Sequence, residues 1–437
     1  DRHNLPVIQI IDERGRMMRG NEEVLGKKTT EAREAIVAWL RTQGLLEKEE
    51  NLVQNISTAE RTGGIIEPLP KLQWFVDTDK PFLLAHSEIP GIASGSELTL
   101  KELLRTAVSA GGVRIIPEHF EKTYFHWIDN LRPWCISRQI WYGHRVPVWY
   151  RGEDIAIGDA PHDEGWTQDE DTLDTWFSSG SWTFSTLGWP SDAEDLRRFH
   201  PTNTLVTAYE ILFFWVARMI LMSGFALGQV PFTDTYLTGI IRDAQGRKFS
   251  KSLGNGIDPI DVVQKYGADA LRMSLLIGNT PGTDMRLSEE KIKGYKHFAN
   301  KLWNITRFIL ENTEGYDADA ARTSADEALT AELSTLAEDV TNDLDNYRGY
   351  LAAEKLYHYA WHRLADEILE DSKPLVFGDD ARLAASRKAT LRSLLITLLP
   401  LLHPFMPFVT EEIWQNMPDT TGFLMTTRWP VIPHANT

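Results

Sequence analysis

At 437 residues the chain exceeds one ordinary hydrophobic core, so about two to four domains are expected. Its 42% hydrophobic and 24% charged residues describe a soluble globular protein, and a net charge of −17 excludes one that coats nucleic acid by bulk charge. The single cysteine, Cys135, excludes an internal disulfide and any multi-cysteine zinc site.

Residues 1–76 mix short β runs with one helix. Val7–Ile11 reads as a strand and Asp12–Gly15 as its turn. Thr30–Thr42 reads as an amphipathic helix with Ala35, Ile36, Trp39 and Leu40 on one side, and Gly44 stops it. Residues 77–130 read as a connecting segment with a Gly/Ser/Pro-rich loop at Pro90–Ser96. The chain starts at Asp1 without a methionine, which reads as a fragment or a processed product. No signal peptide is visible, and the longest apolar run, Ile211–Met222, is broken by Arg218 and reads as too short to span a bilayer.

Residues 131–285 read as half of an α/β nucleotide fold. Thr204–Thr207 is a short strand leading through Ala208-Tyr209-Glu210 into a helix, Ile211–Met222. A second strand, Thr235–Thr238, ends shortly before Gly246-Arg247-Lys248-Phe249-Ser250-Lys251-Ser252-Leu253-Gly254-Asn255. Ligands of such folds sit at the carboxyl ends of strands, which puts Glu210 and Lys248–Ser252 around one crevice. Two lysines on flexible stems can follow phosphate oxygens as charge moves, and flanking glycines let the loop open and close. The same composition also suits a solvated basic turn. Glu210 can hold an ammonium group, or can simply favour a helix N-terminus through the dipole.

From residue 286 to 437 the pattern is almost wholly helical. Between Ile292 and Leu310, Ile292, Tyr295, Phe298, Ala299, Leu302, Ile305 and Ile309 fall on one arc. Lys293, Lys296, His297, Asn300, Asn304 and Arg307 fall on the other, with Phe308 projecting beside Arg307. A solvated face and a face that donates to phosphate or stacks on an unpaired base are both open on charge alone.

The Lys248–Ser252 run resembles the Lys-Met-Ser-Lys-Ser signature of class I aminoacyl-tRNA synthetases, with Phe249 in place of Met. Trp134–Gln139, Trp141–His144, Pro147–Tyr150, Asp169–Ser179, Phe213–Ile220, Asn300–Asn304 and His403–Trp414 are similar to the valyl branch of that family, in the family's order. The resemblance implies a fold of class α/β plus all-α. Residues 131–285 carry the second half of a Rossmann-like catalytic domain, 1–76 are a remnant of a β-rich editing insertion, and 286–437 form a helical anticodon-binding domain.

By the same resemblance Lys248 and Lys251 stabilise the phosphates of ATP, and Phe249, Ser250 and Ser252 complete the ATP-binding loop. Trp176 walls the valine side chain, although a tryptophan there also suits a packing role, and Ile211 contacts the isopropyl group. Glu210 stands where the family has an aspartate for the amino group. Arg307 and Phe308 become anticodon contacts, with Lys293, Lys296 and Asn304 beside them.

The implied reaction is ATP-dependent ligation of valine to its cognate tRNA through valyl-adenylate. Mg2+ accompanies ATP with no ligand residue assignable, no zinc is expected, and the partners are valine, ATP and valine tRNA. DNA and membrane are not expected as partners; a cytoplasmic monomer is. The His-x-Gly-His half of the catalytic domain, most of the editing pocket, a zinc knuckle and a C-terminal coiled coil are not found. Ser57–Gly63 reads as retained editing sequence. A chain that binds tRNA without chemistry is the competing expectation.

Overall fold

The computed structural model describes residues 3, 5–59, 62–249 and 254–430. Contacts divide the chain into two units, Asp1–Val76 with Trp134–Asp174, and Asp77–Pro133 with Thr175–Thr437.

In the first unit the expected strand Val7–Ile11 does not form. Ile11 makes an isolated bridge to Met17, and Leu5, Val7, Ile8 and Ile10 stay exposed, with no strand among the described residues alongside them to complete a ladder. The turn does form: Asp12 accepts from the backbone N–H of Arg14 and Arg16, both at 2.8 Å. A helix covers Thr29–Thr42, with Ala32 buried and Ala35, Ile36, Trp39 and Leu40 half-buried. Gly44, at φ +70°, ends it in a left-handed conformation. Within Ser57–Gly63, Thr58 bridges Ile65, while Glu60 and Arg61 lie outside the described residues.

Trp134–Asp174, read from sequence as nucleotide fold, packs instead with this first unit. The physical reason is strand pairing: Phe75–Val76 pairs with Trp134–Cys135. Val148–Arg151 then builds an antiparallel sheet with Asp154–Ile157 and Thr167–Gln168. Trp74 Nε1 and Tyr150 Oη both donate to Asp169 Oδ2, at 2.9 and 2.8 Å.

The second unit holds a parallel sheet of three strands, β1 (Arg114–Ile116), β2 (Thr202–Ala208) and β3 (Phe232–Thr238), in the order β2–β3–β1. Residues 77–130, read as a connection, therefore supply a strand and the helices Leu100–Ser109 and Phe120–Asp129. Parallel strands need crossovers, and the helical segment Tyr209–Leu227 runs between β2 and β3. Leu205 and Thr207 of β2 and Phe232, Thr235 and Leu237 of β3 turn inward.

The apolar segment after β2 is not one regular helix. Tyr209–Ile211 is a 3₁₀ turn, Leu212–Ala217 is π-helical, and Arg218–Leu227 is α-helical. Taken as one span, Tyr209–Leu227 is long and apolar enough to cross a membrane by length and composition alone. Here Leu212, Val216, Met219 and Ile220 are buried within the unit.

The helical part includes α1 (Glu289–Asn312), α2 (Ser324–Asp345), α3 (Gly349–His358), which runs on through π-helical Tyr359–Ile368 into Leu369–Val376, and α4 (Ala381–Leu402), followed by a helix at Pro407–Asn416. Ser288 and Thr323 cap α1 and α2 through their hydroxyls. The core joins Phe298, Leu302, Ile305 and Ile309 of α1 to Leu333, Leu356, Leu395 and Leu398. The His403–Trp414 segment is structural: Phe405, Met406, Ile413 and Trp414 enter that core. Asp269 accepts from the backbone of Phe408 and Val409 at the start of the last helix.

A tyrosine joins the bundle to the amino-terminal ends of the strands. Tyr347, between α2 and α3, holds φ +58°, a conformation an L-tyrosine rarely adopts. Its hydroxyl lies 2.8 Å from Thr204 Oγ1 on β2 and 2.8 Å from Asp234 Oδ2 on β3, and Arg114 Nε of β1 donates to Asp234 at 2.7 Å. Tyr347 thus ties all three strands at their amino-terminal halves. Tyr347→Phe removes both bonds while keeping the ring, and is expected to destabilise the second unit by about 1–2 kcal/mol. Urea unfolding of the two proteins checks this, and equal midpoints contradict it.

Candidate active site

The carboxyl ends of β2 and β3 meet a polar hairpin. After β3 the backbone passes Gly239, where any Cβ would lie 1.8 Å from the Thr283 carbonyl oxygen, so only glycine fits. Ile241–Arg242 then pairs in parallel with Met285–Arg286. Asp284 fixes this base by accepting from Ile240 N at 2.9 Å and from Arg242 Nε at 2.5 Å. The Tyr209 hydroxyl also bonds to Asp284, and burial, then Asp284, pushes its pKa above the usual phenol value.

Beyond Arg242 the chain turns at Asp243–Gly246, with Gly246 at φ +81°, and returns through a bridge between Arg242 and Lys248. Asp243 organises the turn. Its carboxylate accepts from Gln245 N at 3.0 Å, Arg247 N at 2.8 Å, Arg247 Nε at 2.8 Å and Asn255 Nδ2 at 2.9 Å. Asn255 also donates to the Lys248 carbonyl at 3.2 Å. Asn255, on the returning limb, therefore ties the neck of the loop to both Asp243 and Lys248. These donors, the Asn255 amide first and the Arg247 backbone next, hold the Asp243 carboxyl down at about 2. Ser250, Lys251 and Ser252 lie outside the described residues; Phe249 is half-buried.

Lys248 and Glu210 come together as expected for one crevice. Lys248 Nζ donates to Glu210 Oε2 at 2.6 Å, with the side chains 57% and 38% exposed. Glu210 sits in the 3₁₀ turn leaving β2, and Ile211, the last residue of that turn, is half-buried. Trp176, in the helix Thr175–Gly180, stacks on Phe214 with ring centroids 5.9 Å apart. Phe214 lies in the π-helical turns, a distortion frequent at functional sites, and the Arg218 guanidinium lies 5.6 Å from its ring. The arrangement offers a cation, a carboxylate and an aromatic surface beside one end of a parallel sheet. That set suits a zwitterionic amino acid next to a polyphosphate.

On α1 the two arcs hold. Ile292, Phe298, Leu302, Ile305 and Ile309 are buried, and Lys293, Lys296, His297, Asn300, Asn304 and Arg307 are exposed. Phe308 departs from expectation. It is half-buried against the bundle core, with Lys373 Nζ 6.0 Å from its ring centroid, so a neighbouring segment covers it. The exposed aromatic is Trp303, 42% accessible. It stands four residues before Arg307, three after Asn300 and seven after Lys296, which puts the four on one stripe. Lys296 Nζ meanwhile reaches the Lys265 carbonyl at 3.0 Å. Asp243, Asn255 and Trp303 were missed in the sequence reading. The spacing to Arg307 signalled Trp303, whereas no periodic pattern marks the other two.

The chain matches the family model described as tRNA synthetases class I (I, L, M and V) over residues 20–161 and 156–288. It matches the model for the anticodon-binding domain of tRNA ligase over residues 326–436. It is 43% identical over 442 residues to a valine–tRNA ligase of Geobacillus stearothermophilus, covering 99% of this chain and 48% of the relative. The Bacillus subtilis valine–tRNA ligase is 42% identical over the same coverage. The chain thus spans about half the length of the curated relatives it matches. Among solved structures, Mycobacterium tuberculosis methionyl-tRNA synthetase in complex with methionyl-adenylate aligns with a TM-score of 0.64 at 20% identity. That alignment covers 84% of this chain and 67% of that one. A ternary LeuRS–tRNA–LeuAMS complex of Agrobacterium radiobacter K84 aligns at 0.57 and 21% identity, covering 70% and 44%. These two likenesses establish the fold.

The neck makes its own prediction. Asn255→Ala removes the strongest donor to Asp243, so the Asp243 carboxyl is expected to rise from about 2 toward the ordinary carboxylate value. Carboxyl NMR titration reads this directly, and an unmoved Asp243 contradicts the neck.

Proposed function

The chain belongs to the class I tRNA synthetases of the I, L, M and V group, and from that premise we propose that its protein ligates valine to tRNA through valyl-adenylate. The observation that carries the proposal is the meeting of Lys248 and Glu210 at the carboxyl ends of β2 and β3. Lys248, with Lys251 beyond the described residues, stabilises charge on the ATP phosphates as the amino-acid carboxylate attacks the α-phosphate. The new bond joins carboxylate oxygen to α-phosphorus, and pyrophosphate leaves.

Glu210 takes the α-ammonium, Trp176 and Ile211 face the side chain, and Phe249, Ser250 and Ser252 complete the phosphate loop. Valine is favoured over isoleucine, leucine and methionine by the identity to valine–tRNA ligases. Magnesium would travel with the ATP phosphates. Among the described residues no group of three or more His, Cys, Asp or Glu side chains is placed to hold a metal, so no residue is named for it. A cytoplasmic monomer is the working state this reading carries, in line with a single cysteine.

The bundle is the tRNA-binding part. Between Glu290 and Glu311 helix α1 carries no acid, and Lys293, Lys296 and Arg307 lie exposed on it, in a chain whose net charge is −17. Such a local basic face binds phosphate whatever the overall charge. Arg307, Asn304, Lys293 and Lys296 remain the polar anticodon contacts, and Trp303 joins Phe308 as a stacking candidate. The same face supports the second reading, a protein that binds tRNA without chemistry.

ATP–pyrophosphate exchange and tRNA titration at fixed salt, on wild type, Lys248→Ala and Trp303→Ala, test both. Lys248→Ala is expected to slow valine-dependent exchange about a hundredfold or more with tRNA affinity kept. Trp303→Ala is expected to weaken tRNA binding about fivefold to a hundredfold with exchange kept. Exchange absent from the intact protein, with tRNA bound, would establish the second reading.

A further inference from the structure

Two groups at the site are each required elsewhere if the proposed reaction runs, and the inference rests on that reading. Lys248 must bring its ammonium to phosphate oxygens, and Glu210 must present its carboxylate to a substrate ammonium. Here they hold each other at 2.6 Å. The two ammonium groups are alike in chemistry: each is a compact cation with three donors, one of which a Glu210 carboxylate oxygen can accept. Lys248 therefore fills the place of the substrate amino group with a group of the chain's own.

The setting confines the exchange to side chains. The Lys248 backbone is held by its bridge to Arg242 and by Asn255, while the Glu210 backbone is fixed in the 3₁₀ turn. Both side chains remain partly exposed, at 57% and 38%, so an incoming cation can reach the carboxylate and the released lysine can swing on its four-carbon stem. Length is the second ingredient. Glutamate is one methylene longer than aspartate, and at this length Glu210 reaches Lys248 Nζ at 2.6 Å.

We propose that binding of the amino acid displaces Lys248 from Glu210 and so frees it for ATP, coupling the two substrates through one carboxylate. Reciprocity follows: ATP, by drawing Lys248 away, must tighten amino-acid binding by the same factor. An ion pair this exposed is weak, so the coupling is about two- to fivefold. The order of events needs no movement of the helical bundle. It predicts that removing the Glu210 contact improves ATP binding in the absence of amino acid, the opposite of what damage to a binding site does.

Calorimetric titration of ATP into the intact protein, with and without valine, tests this on wild type, Glu210→Asp, Glu210→Gln and Lys248→Ala. Valine is expected to tighten ATP about two- to fivefold in wild type. Glu210→Asp should still bind valine, bind ATP alone as tightly as wild type does with valine, and lose the coupling. Glu210→Gln, which keeps the length and drops the charge, should also bind ATP alone more tightly while binding valine more weakly. Glu210 variants that bind ATP alone no better than wild type, or that keep the full coupling, overturn the exchange. ATP binding unchanged in Lys248→Ala overturns the site reading itself, a different result from the first.

Discussion

A single carboxylate holds the working end of this protein in shape. Asp243 gathers backbone and side-chain donors from its own turn and one amide from the returning limb, so the loop that carries Lys248 has a closed neck. A polar turn gains little from hydrophobic burial, and the ordering cost of Asp243–Arg247 is met by such bonds. With the neck closed, Lys248 projects onto Glu210; without it, the lysine has no fixed origin.

The neck in turn stands on the sheet. Asp284 attaches the hairpin base, and a small core of Val262, Ala270, Met285, Leu287 and Ile292, flanked by Ile241 and Ile257, continues from that base into the start of α1. At the other end of the strands Tyr347 binds the α2–α3 turn to Thr204 and Asp234. The helical bundle is thus attached to the sheet through both ends of its strands, one attachment apolar and one polar. The strand ends that carry Glu210 and lead to Lys248 and the exposed face of helix α1 thus belong to one packed unit.

How much of this was legible depends on the range of the physics. Helix α1 was readable because its apolar and polar arcs repeat locally, and its buried set matches the expected arc. The strands at Thr204 and Thr235 were readable within a few residues, and Glu210 and Lys248 met because strand ends in such a fold converge. Val7–Ile11 failed since a strand needs a partner, and pairing is not local. Phe308 and Trp303 lie at the two edges of the polar arc, where periodicity cannot tell burial from exposure, and the neighbouring helices decide it. The placing of Trp134–Asp174 failed because two-residue strand pairs, invisible to composition, decide it. Asp243 and Asn255 are twelve residues apart with no period between them, so a hydrogen-bonded neck leaves no pattern to read.

The central claim is that the crevice beside β2 and β3 activates valine with ATP. ATP–pyrophosphate exchange by the intact protein, driven in turn by valine, isoleucine, leucine and methionine at equal concentration, tests it most directly. The account predicts exchange with valine, with isoleucine, leucine and methionine each at least about tenfold slower, as a pocket that excludes extra methylenes allows. Exchange driven as well by one of the other three, or by none of the four, would contradict it.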